Sequence, residues 1–174
     1  MLFLFSCENN REEEVKKIDE LIVQLHQAEN KFNAIDSVTL FSVYVKIITD
    51  LKDLHYFTDT IESETLDKIN QAIKHLPSLT ATTQYFPILS SELHHSKAQL
   101  QNLKQDAANG LIEKAKFNAI FEEEQSILIN LTNVLDSTYA DLDSKLTETK
   151  NHYSTVDSIV DYLKQQRTNT TVTE

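Results

Sequence analysis

Along the first part of the chain, Val15, Ile18, Ile22, Leu25, Ala28, Phe32 and Ile35 recur three or four residues apart, with Glu, Lys, Asp and Gln between them. That spacing is one face of an amphipathic helix. The run from Val38 to Ile48 is rich in β-branched residues and taken alone resembles a buried strand. No partner strand or hairpin turn accompanies it, and one strand cannot make a sheet. Phe41, Val45, Ile48, Leu51 and His55 are therefore read as continuing the helical face, with a kink at Asp36-Ser37. Phe57-Thr58-Asp59-Thr60 predicts the first turn, because Thr and Asp side chains compete for backbone hydrogen bonds and favour helix ends. Leu66, Ile69, Ile73 and Leu76 resume the stripe up to Pro77, which cannot continue a helix interior, and Ser78 to Thr83 reads as a loop. Pro87 suits the first turn of a new helix with the face Leu89, Leu93, Ser96, Leu100, Leu103 and Ala107, closed by Asn109-Gly110 in a left-handed cap.

Beyond Gly110 there is neither Gly nor Pro. Phe117, Phe121, Leu128, Leu131, Leu135, Leu142, Leu146, Tyr153, Val156, Val160 and Leu163 fall on near-heptad spacing. The spacing predicts one helix of roughly 50 residues, ~75 Å long. Turns near Thr58 and at Gly110 divide the chain into three similar segments. The expected fold is all-α: an elongated antiparallel three-helix bundle of spectrin-repeat type, its middle helix broken between Pro77 and Pro87. Four helices replace three if Asp36 marks a true turn. Residues 8–167 form this single bundle domain, and 168–174 a flexible polar tail.

Composition narrows the picture. One Gly and two Pro leave the chain without the punctuation of hairpins or Rossmann loops, while 40% hydrophobic residues are enough to pack. The net charge is −11, and each third of the chain is acidic by itself. A nucleic-acid partner requires clustered Lys and Arg to displace phosphate counterions, so that class is excluded, and attraction to anionic headgroups is disfavoured.

The only cysteine, Cys7, rules out an intramolecular disulfide and a CxxC zinc site. It follows Leu2-Phe3-Leu4-Phe5-Ser6 and precedes the polar run Glu8-Asn9-Asn10-Arg11-Glu12-Glu13-Glu14. This junction resembles the lipobox of a bacterial lipoprotein, with Leu4 three residues before the cysteine and Ser6 directly before it. The resemblance implies lipidation of the Cys7 thiol and cleavage before it. No Lys or Arg precedes Cys7 and the apolar run is shorter than the ~7–15 residues of a secretory signal, so residues 1–7 read as a signal remnant. The stretch from Tyr85 to Gln125 is similar to a segment of small helical lipoproteins of the Bacteroidetes type, a group with no agreed activity. The likeness is carried by Pro87, Glu92-Leu93, Ser96, Gln99-Leu100, Leu103, Asp106, Asn109-Gly110-Leu111 and Phe117. It implies an outer-membrane lipoprotein of the cell envelope, and Glu12-Glu13-Glu14 beside the cysteine is similar to the acidic cluster of surface-exposed members.

Chemistry-bearing patterns are sparse. Glu92 and His95 form one Glu-x-x-His, where di-iron bundles use two such motifs and two further glutamates. His26, His55, His75 and His152 fall at no ligand spacing, and no phosphate loop or nucleophile motif occurs. The expectation is therefore no catalytic residue, no metal and no cofactor. Three functional readings follow. The leading one is a lipid-anchored, non-catalytic structural or interaction bundle with a protein partner or a second copy of itself. The others are a soluble ligand-sensing or adaptor bundle, with a pocket and a polar group in its core near Tyr85-Phe86, and a metalloenzyme.

Overall fold

The structure, a computed structural model, describes residues 5–55 and 61–171, with side chains over 11–55 and 61–165. Among the described residues there are six helices and no strand: α1 (Phe5–Asn33), α2 (Ser37–Leu54), α3 (Ser63–Ala72), α4 (Leu76–Asn109), α5 (Lys114–Thr138) and α6 (Leu142–Thr171). The all-α expectation holds, including for the β-branched α2.

The helix boundaries differ from expectation at several places. At Asp36 the helix is interrupted: Asp36 Oδ1 accepts a hydrogen bond from the Thr39 amide at 3.0 Å and caps α2. The turn expected at Phe57 to Thr60 lies outside the described residues.

The break expected between Pro77 and Pro87 is absent, because α4 runs unbroken through both prolines. Pro77 is the second residue of α4, where a missing N–H has no helical partner to lose. Pro87 gives up one interior bond. The threonines between them, expected in a loop, turn their hydroxyls onto the preceding turn: Thr80 donates to the Leu76 carbonyl and Thr82 to the Ser78 carbonyl, both at 2.8 Å. Satisfied in this way, Thr82 and Thr83 are buried within a helix.

The single 50-residue helix is likewise two helices, α5 and α6, separated at Tyr139 to Asp141. Asp141 adopts φ 57°, a left-handed conformation that Asp tolerates better than most side chains, so the helix is interrupted without glycine. Helix α6 continues to Thr171, into the segment expected as a polar tail.

The chain divides into two compact units. The first comprises Met1–Ile35 and Tyr85–Ala140, the second Asp36–Gln84 and Asp141–Glu174. In the first, cross-helix ion pairs set the directions. Asp19 meets Lys104 at 2.5 Å and Glu29 meets Lys97 at 2.9 Å, so α4 runs antiparallel to α1. Lys31 meets Asp136 at 2.7 Å near the other end of α1, and α5 runs parallel to it. Their apolar faces meet in a core of Ile18, Leu21, Leu25, Ala28 and Phe32 from α1, Leu89, Leu93, Leu100, Leu103 and Ala107 from α4, and Phe117, Leu128, Leu131 and Leu135 from α5. The α4 face lies where its spacing placed it. Each fully buried Leu or Phe contributes on the order of 1.5–3 kcal/mol.

The second unit follows the same logic. Lys46 pairs with Asp157 and Lys164 with Asp53, so α2 and α6 run parallel. Its core contains Leu40, Ile47, Leu54, Ile69, Leu79, Leu146, Val156 and Val160. Here the expected α2 face is displaced. Phe41 and Val45 are exposed while Leu40, Ile47, Asp50 and Leu54 are buried, because the break at Asp36 restarts the helical phase.

Gly110 is the cap the sequence called for. It sits at φ 66°, its amide bonds to the Ala107 carbonyl, and the Leu111 amide reaches back to the Asp106 carbonyl at 2.9 Å, which is the Schellman arrangement. A Cβ here would collide with the Arg11 guanidinium, which is flexible and can move, whereas the positive φ cannot be relieved. Gly110→Ala should therefore lower stability by about 1 kcal/mol in chemical denaturation, with an unchanged denaturant slope.

Candidate functional site

Besides Thr82 and Thr83, whose neighbourhood in α4 is described above, four of the helices carry a polar residue within their core stripe. These are Asp50 on α2, Ser96 on α4, Glu124 on α5 and Thr149 on α6, all buried. Polar groups at core positions are the features of this molecule that packing alone does not explain.

In the second unit, Asp50 accepts two hydrogen bonds at one oxygen. The Tyr153 hydroxyl donates to Asp50 Oδ2 at 2.8 Å, and Lys46 Nζ donates to the same oxygen at 3.2 Å and to Asp157 Oδ1 at 2.5 Å. The Lys46 ammonium also lies 5.7 Å from the centre of the Tyr153 ring. Bonding to two carboxylates raises the Lys46 ammonium above the usual lysine value, and burial beside Asp50 pushes the Tyr153 phenol well upward. The tyrosine stays protonated and the lysine charged throughout the physiological range, and the cluster holds α2 to α6.

Glu124 in the first unit is different. It is 5% exposed, in the α5 stripe between Phe121 and Leu128, and its Oε2 has no hydrogen-bond partner. Burial raises its carboxyl above the ordinary value; the neighbouring charge of His95 opposes that rise and Glu123 adds to it. His95 lies across on α4, exposed, with its Nε2 3.4 Å from the Gln99 amide nitrogen. Glu92, its partner in the Glu-x-x-His pattern, is exposed. Among the described residues no group of three or more His, Cys, Asp and Glu side chains can hold a metal ion.

A third cluster is one that linear spacing could not show. Glu148 on α6 binds Lys74 through Oε1 and His75 Nε2 through Oε2 at 2.8 Å, and His152 Nε2 stands 4.0 Å away. Its carboxyl is depressed to about 2, first by the hydrogen bond from Lys74 and then by that from His75. His75 and His152 are 77 residues apart in sequence, and only the antiparallel pairing of the segment before α4 with α6 brings them together.

The region around Tyr85-Phe86, where the ligand-sensing reading places a pocket, is filled by rings. Phe86 packs on Phe32 with centroids 4.5 Å apart and meets the edge of Tyr139 at 6.4 Å. A shallow groove of about 560 Å³ lies instead in the second unit, lined by Ile61, Thr65 and Lys68 on one side and Thr155, Ile159 and Tyr162 on the other. On α2, Val38 and Val45 are 80% and 58% exposed, with Phe41 between them at 37%. No charged residue occurs from Ser37 through Val45. The backbone of α1 begins at Phe5, but the side chain of Cys7 lies outside the described residues. No described helix is long and apolar enough to cross a membrane.

No protein-family model, curated protein or solved structure matches this chain.

Proposed function

We propose that this chain is a lipid-anchored cell-envelope protein, an outer-membrane lipoprotein of the Bacteroidetes type, acting as a non-catalytic interaction bundle. The observation that carries the interaction part is the outer face of α2. Val38, Phe41 and Val45 form one exposed stripe at helical spacing, on the uncharged run of a chain whose net charge is −11. We assign that face to a second copy of the chain. Two copies repel through most of their surfaces, and a like-to-like contact is favourable only where charge is absent and apolar area is available. A single 18-residue helix offers less than the ~800 Å² per partner of a standard interface, so the contact is weak in dilute solution. Anchoring both copies to one membrane raises their effective concentration.

Two measurements test the two parts. Sedimentation velocity over a concentration series should show a monomer–dimer equilibrium that Val38→Glu with Val45→Glu abolishes, while Val23→Glu on exposed α1 leaves it intact. A monomer at all concentrations, or a dimer indifferent to the α2 charges, overturns the assignment. For the anchor, mass spectrometry of the protein from host membranes should find Cys7 as a diacylglycerol-modified first residue; a free Cys7 thiol on a chain that retains Met1 removes it.

The finer architecture, one elongated three-helix bundle of spectrin-repeat type, belongs to the same proposal. Its support is the direction of the helices within each unit, the third segment parallel to the first and antiparallel to the second. Small-angle scattering tests it through a maximum dimension near the ~75 Å of a 50-residue helix. A ligand-sensing reading draws on the α3–α6 groove and the carboxylate in the α5 core, and is favoured if a soluble metabolite shifts the melting temperature.

A further inference from the structure

We infer that Glu124 is a proton-operated latch in the first unit: with its proton on, α5 packs closed against α1 and α4, and with its proton off, α5 loosens so that the carboxylate reaches water. The geometry behind this is a carboxyl at a core position of the α5 stripe, one turn from Phe121 on one side and from Leu128 on the other. Oε2 has no donor within reach. A neutral carboxylic acid can sit there with modest loss, whereas an ionised one leaves Oε2 buried without the donor that a carboxylate oxygen requires.

The charges that bear on the group are few. His95 faces it from α4 and Glu123 flanks it on α5, and no charge on α1 acts on it among the described residues. A cationic His95 would stabilise the carboxylate, but the ring is exposed and shares its charge with water. Burial is the larger influence and leaves the carboxyl raised.

The sign follows from proton counting. Below the ordinary glutamate value both the folded and the open chain hold the proton, and packing is at full strength. As pH rises past that value the open form releases its proton while the closed form keeps it, so closure weakens until the closed form ionises too. Above that point the loss is complete. Glu148 in the second unit works in the opposite sense: its lowered carboxyl loses stabilisation only as pH falls from about 4.5 toward about 2. The two effects occupy different pH windows and different units.

Hydrogen exchange read by mass spectrometry on the full chain tests the latch. After correction for intrinsic exchange, amides of α5 around Phe121 to Leu128 should lose about tenfold in protection for each pH unit between the open and closed carboxyl values. Amides of α6 should not follow over that window. Glu124→Gln keeps the shape without the charge and should give α5 protection that is flat with pH. If that variant does not fold, Glu124→Met serves the same purpose. His95→Gln removes the opposing charge and should shift the midpoint of the wild-type loss to higher pH. Wild-type α5 protection that is flat above pH 4.5, or an equal decline in the Glu124→Gln protein, overturns the inference.

Discussion

Phe117→Ala should reduce the unfolding free energy of the first unit by about 3–5 kcal/mol, the largest loss expected from any single core truncation here. The ring is 1% exposed, at the start of α5, and stacks on Phe121 with centroids 5.8 Å apart. It packs in the cluster that Ile18, Leu21, Leu103 and Ala107 also build, close to the Gly110 turn that reverses the chain from α4 into α5. Removing it leaves a void that rigid helical neighbours on α1 and α4 fill only in part. Denaturation followed by circular dichroism should show an earlier transition, and a drop under 1 kcal/mol would mean that the α4–α5 corner collapses onto the void. Exchange data should place the lost protection in α1, α4 after Tyr85 and α5. A loss of this size takes a large share of the 5–15 kcal/mol available to a typical domain.

The second large effect is expected at Tyr153. Tyr153→Phe removes only an oxygen, yet it takes away the donor that satisfies the buried Asp50, and the expected loss is about 1.5–3 kcal/mol. Lys46 still contacts Asp50, which keeps the loss below that of stranding an isolated charge. The informative comparison is the double variant Asp50→Leu with Tyr153→Phe. If the penalty is the orphaned carboxylate rather than the ring's packing, removing both polar partners should recover most of the stability lost by Tyr153→Phe alone. An additive further loss would mean that the two side chains contribute independently and that their hydrogen bond couples them little. Thermal melts of the four proteins in the cycle decide between them.

Polar residues at the core positions of α2, α4, α5 and α6 bear on uniqueness as well as stability. Apolar stripes of Leu, Ile and Val tolerate sliding by a heptad, whereas the Asp50–Tyr153 bond exists in one register of α2 against α6 only. Glu124 lacks such a partner, and for that reason it is assigned a switching role rather than a locking one.

Much of this fold was legible in the sequence, and the parts that were not share a physical cause. The helical class followed from apolar spacing and from the near absence of Gly and Pro. The α4 face from Leu89 to Ala107 and the Gly110 cap were read correctly to the residue, because periodicity and a left-handed cap are local properties. Most core positions along α5 and α6 were legible too, with Phe121 and Leu163 only partly buried, although the break between the helices was not: Asp141 interrupts the helix with φ 57° while the heptad spacing continues on either side. Pro77 and the threonines before Pro87 misled in the opposite direction. A proline in the first turn and hydroxyls bonded to the preceding turn are compatible with helix, and only the packing of Leu79, Thr82 and Thr83 shows that helix prevails.

The buried carboxylate left a trace that could have been followed, since the spacing from Phe117 and Phe121 to Leu128 leaves a core position that falls on Glu124. What no spacing could supply is its missing partner, the meeting of His75 and His152 at Glu148, or the exposure of Val38 and Val45 on the outside of α2. Local sequence determines which residues can share a helix face. Which face is covered, and which charge finds a donor, depends on neighbours that are tens of residues away in the chain and adjacent only after the helices have packed.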